Sequence, residues 1–170
     1  MLKINTKMDP NENQTREKQY SILFDVNERC GVSEFGIMAN ESWNNDPKRT
    51  LFTLSRYKFV SKMLAGKQSI LEVGCADGFG TRIVRQQTGG VDALDFDDLF
   101  IKNAKQTNSS EWPINFFSHD ILEKPVSNKY DGIYALDVLE HIDKHSEEKF
   151  IKHCIQLVLW LPNRLCRLLD

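Results

Sequence analysis

The residues best equipped for chemistry stand together in Asp137-Val138-Leu139-Glu140-His141, directly after a strand-like run, Tyr130 to Leu136. An imidazole titrates close to working pH, so His141 can serve as a general base. Asp137, at the head of the same stretch, can orient an acceptor. The plain structural reading of Glu140–His141 is that the pair caps and pins the helix that follows. His119, His145 and His153 have no companions that suggest chemistry and are expected on the surface. Three further acids stand in or just after short apolar runs: Glu72 in Ile70-Leu71-Glu72-Val73, Asp95 after Val91–Leu94, and Asp120 after Ile114–Phe117. Strand ends are where open α/β sheets gather the groups that meet a ligand.

The stretch Ser69–Val84, SILEVGCADGFGTRIV, shows how such groups are positioned. Ile70–Val73 reads as a buried strand. Gly74-Cys75-Ala76-Asp77-Gly78-Phe79-Gly80 is a turn of mostly small residues, and Thr81–Val84 has helix-compatible spacing. Strand, small-residue turn and helix form the first half of a nucleotide-binding βαβ unit. The small residues let a ligand approach the backbone, and the helix N-terminus offers unpaired N–H donors. The dinucleotide fingerprint G-x-G-x-x-G would need glycines at 74, 76 and 79, where the chain has Gly74, Ala76 and Phe79. The third position, which permits close helix–strand packing, is therefore wrong for that fingerprint. Asp95, 17 residues after Gly78, stands where ribose hydroxyls need a bidentate acceptor, which suits an adenosine cofactor without choosing its kind. Cys75 reads as a small residue beside that ligand.

The remaining elements follow from pattern. Asp46-Pro47 marks a helix start. A stripe of Leu51, Leu54, Phe59, Val60, Met63 and Leu64 is expected to face the core, with Gly66 as the stop. Lys48, Arg49, Arg56, Lys58 and Lys62 read as the solvated face of that helix. Thr88-Gly89-Gly90 turns the chain into a second strand, and Asp97 and Asp98 are placed to cap a helix over Leu99–Lys105. Ser146-Glu147-Glu148 begins a last helix carrying Phe150, Ile151, Cys154, Ile155, Leu157 and Val158. Residues 1–19 read as a polar tail. Residues 20–46 read as an irregular arm packed on the main domain. The sharper alternative is a lid carrying Phe35, Met38 and Trp43, since substrate walls are apolar and aromatic.

Three motifs now resemble one family. Glu72-x-Gly74-x-Ala76-x-Gly78 resembles motif I, E/D-x-G-x-G-x-G, of the class I S-adenosylmethionine (SAM)-dependent methyltransferases, departing from it at Ala76. VDALDFDDLFIKNAK is similar to their second motif, and YDGIYALDVLEHI to their F/Y-D-x-I/V…V-L-E-H-I/V stretch. The motifs come in the family's order, over about residues 48–157. The resemblance implies a Rossmann-like three-layer α/β sandwich with a mainly parallel sheet in the order 3-2-1-4. It implies SAM as cofactor, lined by Glu72, Gly74, Cys75, Ala76, Asp77, Gly78, Asp95, Phe96, Asp120 and Ile121. Glu72 would suit the cationic methionine end, Asp120 would accept from the adenine amino group, and Ile121 would pack on the ring. Asp137 would line the methionine end or orient the acceptor, with His141 as base, for transfer to an oxygen or nitrogen of a small molecule. An acid-x-x-Glu-His pattern similar to Asp137–His141 binds a divalent ion in ubiquinone-pathway O-methyltransferases. Only part of a coordination shell is visible here, so no metal is assigned. After the last helix, family members show a glycine turn, a fifth strand and a closing hairpin, where this sequence has LWLPNRLCRLLD. The resemblance thus implies a shortened member with strand four at an exposed edge, open to self-association. Its alternative is a catalytically incomplete remnant that binds SAM or a partner.

Composition bounds these readings. At 170 residues the chain can hold one domain with a sizeable core, here 47–170, preceded by the arm at 1–46. A net charge of −2 and a pI near 6.1 give no electrostatic footprint for nucleic acid or anionic membranes. No apolar run reaches the ~18–20 residues that span a bilayer. The N-terminal residues lack the apolar core of a signal peptide, so a cytoplasmic location is expected. Four cysteines without a C-x-x-C pair give no metal-site spacing.

Overall fold

The computed structural model describes residues 16–159. The chain divides into two compact units between Glu34 and Phe35. In the first, a turn of 3-10 helix, Lys18–Tyr20, leads into helix α1 (Ser21–Cys30), which Gly31 ends in a left-handed conformation.

The second unit is built on a parallel sheet of four strands: β1 (Ile70–Val73), β2 (Val91–Asp95), β3 (Asn115–Ser118) and β4 (Gly132–Tyr134). Their order is β3-β2-β1-β4, as expected, with Ile70 registered against both Val91 and Gly132. Among the described residues five α-helices accompany it: α2 (Ile37–Asn45), α3 (Pro47–Met63), α4 (Thr81–Arg85), α5 (Asp98–Gln106) and α6 (Glu147–Gln156). All four residues of β1 are buried, as the centre of a parallel sheet covered on both faces requires. On one face Ile70, Ala93 and Phe116 pack with Tyr57 and Val60 of α3, Val84 of α4, and Ile101 and Ala104 of α5. On the other, Leu71, Val73 and Leu94 pack with Phe150 of α6 and with Leu157. The result is a three-layer sandwich.

The two arm helices differ from the irregular segment expected at 20–46. Nothing in the Asn- and Ser-rich local sequence announces α2, because the groups that fix its start come from elsewhere. Ile37 donates its N–H to Asn103 Oδ1 at 2.9 Å, and Ala39 donates to Asp77 Oδ2 at 2.8 Å. The Phe35 ring meets Phe79 edge-on at 5.0 Å, so this segment rests on the small-residue turn after β1.

Helix α3 starts at Pro47 as its sequence predicts, but its inward face is rotated from the expected stripe. Leu51, Phe59 and Met63 are exposed, whereas Thr50, Tyr57, Val60 and Ser61 are buried. The Tyr57 hydroxyl, which hydrogen-bonds inside the core, turns the helix. Helix α5 begins as expected, with the Asp97 carboxylate accepting from Leu99 N at 2.8 Å. The strand-four edge is covered at its start: Tyr130 N donates to Leu157 O, and Leu159 N to Tyr130 O. Among the described residues no helix is long and apolar enough to cross a membrane.

Candidate active site

The candidate groups lie at the carboxyl ends of β1, β2, β3 and β4. At the end of β1 the chain turns sharply through Gly74, whose φ is +76°. A Cβ there would stand 2.5 Å from Val138 Cγ2, so glycine lets the loop after β4 close against the end of β1. Ala76 also adopts a left-handed conformation, φ +48°. The middle glycine of the motif is therefore missing where a glycine conformation is used. Gly78 packs against the Phe116 ring and Ala104. Cys75 is buried, and burial pushes its thiol far above the ordinary range, so it is held neutral and unreactive.

Glu72 revises an expectation. Its side chain is 0% exposed and points into the helix layer instead of toward a ligand. One carboxylate oxygen accepts from Tyr57 OH at 2.6 Å. The other accepts from Thr81 Oγ1 at 2.5 Å and Tyr134 OH at 2.8 Å. Burial raises the Glu72 pKa above the usual carboxylate range, with the three hydroxyl donors partly opposing the rise. The residue thus joins α3, α4 and β4 beneath the site and does not reach the cationic end of a ligand. Asp77 is likewise occupied: Oδ1 accepts from Phe79 N at 3.1 Å, and Oδ2 holds α2.

Asp95 closes the turn from the neighbouring strand. Its Oδ2 accepts from Ala76 N at 2.9 Å and its Oδ1 from Asp97 N at 3.0 Å. Each oxygen keeps a further lone pair. Phe96, next in sequence, is 75% exposed, whereas Asp95 itself is buried. At the end of β3, Asp120 Oδ1 accepts from Leu122 N at 2.7 Å, which leaves its second oxygen open. Ile121 does not offer the open apolar face expected of it. It is 5% exposed and packs in the core with Leu71, Val73 and Leu94.

After β4, Asp137 is the second non-glycine residue in a left-handed conformation, φ +56°. Its Oδ2 accepts from Arg56 Nη1 of α3 at 2.8 Å, with the two side chains 45% and 50% exposed. An ion pair this exposed contributes roughly 0.2–1 kcal/mol. Aspartate is one of the few non-glycine residues that adopt this conformation, since its short polar side chain can hydrogen-bond locally. Sequence reasoning placed Arg56 on a solvated face, and its partner 81 residues away left no local signal. Tyr57 and Tyr134, the phenols on Glu72, were missed for the same reason.

Glu140 and His141 lie in a 3-10 turn, Leu139–His141, and both are exposed. Ser146 is the N-cap of helix α6, and its backbone oxygen accepts from Phe150 N. Neither Glu140 nor His141 caps it, contrary to the plain structural reading. Nor do Asp137, Glu140 and His141 converge as metal ligands; no such group of three forms among the described residues. The imidazole of His153 is instead part-buried, with Nδ1 2.6 Å from Ile121 O.

The arrangement is a glycine-bent turn tied to the Asp95 carboxylate and faced by the loop after the fourth strand. A family model described as a methyltransferase domain matches residues 70–159, more than half of the chain. The chain belongs to that methyltransferase-domain family. Among solved structures it is similar to the N-methyltransferase NodS from Bradyrhizobium japonicum WM9 in complex with S-adenosyl-L-homocysteine (SAH). There the TM-score is 0.58 at 21% identity, over 71% of this chain and 66% of that one. It is similar also to magnesium protoporphyrin IX methyltransferase (ChlM) from Synechocystis PCC 6803 with bound SAM. That match has a TM-score of 0.55 and 20% identity, over 86% of this chain and 74% of that one. A third likeness is to the DhpI–SAH complex, with a TM-score of 0.58 and 19% identity, over 71% of this chain and 58% of that one. At these identities the likeness establishes the shared fold. The chain spans 66% of NodS and 58% of DhpI. No curated protein matches the sequence.

Proposed function

We propose that this chain binds SAM across the carboxyl ends of β1, β2 and β3 and transfers its methyl group to an oxygen or nitrogen of a small-molecule acceptor. The observation that carries the reading is the Asp95 carboxylate at the tip of β2. It is buried, tied to the Ala76 amide of the turn, and followed in sequence by the exposed Phe96. That combination fits an adenosine: free lone pairs for ribose hydroxyls and an aromatic surface for a purine. Phe79, at the third position of the dinucleotide fingerprint, packs its ring on Phe35 and speaks against a nicotinamide cofactor. The solved neighbours NodS, ChlM and DhpI, described with bound SAH or SAM, support the choice.

SAM supplies a methyl group already activated by its sulfonium. What remains for the protein is to orient, exclude water and accept a proton. Gly74, Ala76 and Gly78 supply a backbone cradle with few side chains in the way. Asp95, Phe96 and Asp120 hold the adenosine part, while Cys75 and Ile121 fill the wall behind it. Asp137 faces the acceptor side, and His141, exposed in the turn that follows, takes the proton where the acceptor has one to lose. The net charge of −2 favours a small molecule over nucleic acid as acceptor.

The test is conversion of SAM to SAH by the purified chain across a panel of small hydroxyl and amine acceptors, with Asp95→Ala as control. Turnover with one acceptor, lost in the variant, is the expected result. A second reading is SAM binding without turnover, favoured by the lack of any hydrogen-bond partner orienting His141 among the described residues. Tight SAH binding with no product from any acceptor would establish it.

A further inference from the structure

We infer that the outward face of helix α3 is a docking surface for an anionic lipid bilayer. Phe52, Phe59 and Met63 dip into the headgroup layer, and the lysines beside them meet the lipid charges.

The chain around α3 is one-sided in charge. Between Asp46 and Glu72 it holds Lys48, Arg49, Arg56, Lys58, Lys62 and Lys67 and no acid. The net charge of −2 averages over this stretch and conceals it. The two arginines have taken acids from neighbouring segments: Arg49 pairs with Glu41 at 3.4 Å and Arg56 with Asp137 at 2.8 Å. Among the described residues no ion pair engages Lys48, Lys58 or Lys62, and all three are exposed.

The helix sets apolar groups among those charges. Tyr57, bonded to Glu72 in the core, fixes the rotation of α3 and turns apolar side chains outward. Phe52, Phe59 and Met63 are 62%, 66% and 66% exposed. At about 100° per residue, positions 52, 59 and 63 fall within roughly 40° of one another and form one stripe, about 17 Å long. By the same spacing Lys48 and Lys62 border the stripe on one side, with the exposed Leu51 and Lys58 further round. Arg49 and Arg56 border it on the other. The opposite face, Thr50, Tyr57, Val60 and Ser61, is buried, so α3 is already folded and oriented before it meets a surface.

An apolar stripe edged by cations is how a helix lies in the plane of an anionic membrane interface. Lysine stems run along apolar surface while their ammonium heads reach for phosphates. A protein partner would have to bring both a groove for the rings and acids around it. A headgroup layer supplies both at once.

Cosedimentation of the whole chain with vesicles tests this, and no readout requires SAM. The chain should sediment with vesicles of phosphatidylglycerol mixed into phosphatidylcholine, far less with phosphatidylcholine alone, and be released by salt. Each lysine near an anionic surface is worth about fivefold in partitioning, so Lys48→Ala, Lys58→Ala and Lys62→Ala combined should weaken binding about 100-fold. Phe52→Ser with Phe59→Ser should weaken it at least about 10-fold. The melting temperature of that double variant should hold, because both rings are exposed. Equal binding to neutral vesicles, or full binding by the phenylalanine variant, overturns the inference. A drop in that variant's melting temperature would show that the chain's own residues cover the stripe, and overturns it too. So does self-association through the stripe without vesicle binding, which would assign the face to a second copy of the chain.

Discussion

Glu72 illustrates how a motif residue can be recognised by position and misread in role. Its place two residues before Gly74 is legible in the sequence; its burial under Tyr57, Thr81 and Tyr134 is not, because those partners lie 15, 9 and 62 residues away. Burial raises its pKa in the fold, so the folded chain keeps that proton to a higher pH than the unfolded chain does. Stability from this group therefore falls as pH rises above the ordinary carboxylate range, until the raised folded value is passed. Glu72→Gln keeps an acceptor and cannot ionise. Denaturant unfolding across a pH series should show the variant gaining on wild type as pH rises through that window. Parallel profiles would show that the carboxyl titrates normally. Ala76 gives a second residue-scale expectation. Its left-handed φ costs roughly 1–2 kcal/mol, against ~0.5–1 kcal/mol of extra chain entropy lost by glycine. Ala76→Gly should be neutral or stabilise by up to about 1 kcal/mol in unfolding experiments, with SAH affinity equal or tighter. Clear destabilisation would mean that the alanine methyl makes a packing contribution larger than the strain.

The elements divide by whether their causes are local. Strands β1 to β4, the glycine bend and the Asp97 cap were readable because apolar runs, small-residue turns and capping acids act over a few residues. Helix α2 and the inward face of α3 were not, because Asp77, Asn103 and Glu72, which fix them, stand far along the chain. For α2 this dependence can be measured. Asp77→Ala removes the acceptor for Ala39 N and should cost about 1 kcal/mol, the scale of a lost helix cap. Hydrogen exchange of the Ile37–Asn45 amides should quicken while the amides of β1 and β2 keep their protection. Unchanged exchange in α2 would show that the Phe35–Phe79 and Phe35–Trp43 ring contacts hold the helix without Asp77. The acids at the carboxyl ends of the strands were legible in the sequence. Which of them remain open to a ligand depended on packing that no local pattern encodes.

At the scale of the whole molecule, a four-stranded parallel sheet covered by helices on both faces places the turn after β1, the tip of β2 and the loop after β4 at one end. The same architecture serves many chemistries, so fold alone does not choose a cofactor. On the proposed reading Asp95 and Phe96 suit an adenosine without choosing its kind, and Phe79 in place of the third glycine speaks against a dinucleotide. The most direct test is calorimetric titration of the whole chain with SAH, with NADH as control. One saturable site for SAH in the micromolar range and none for NADH is the expected result. Binding of NADH alone, or of neither by a chain that unfolds cooperatively, would contradict it.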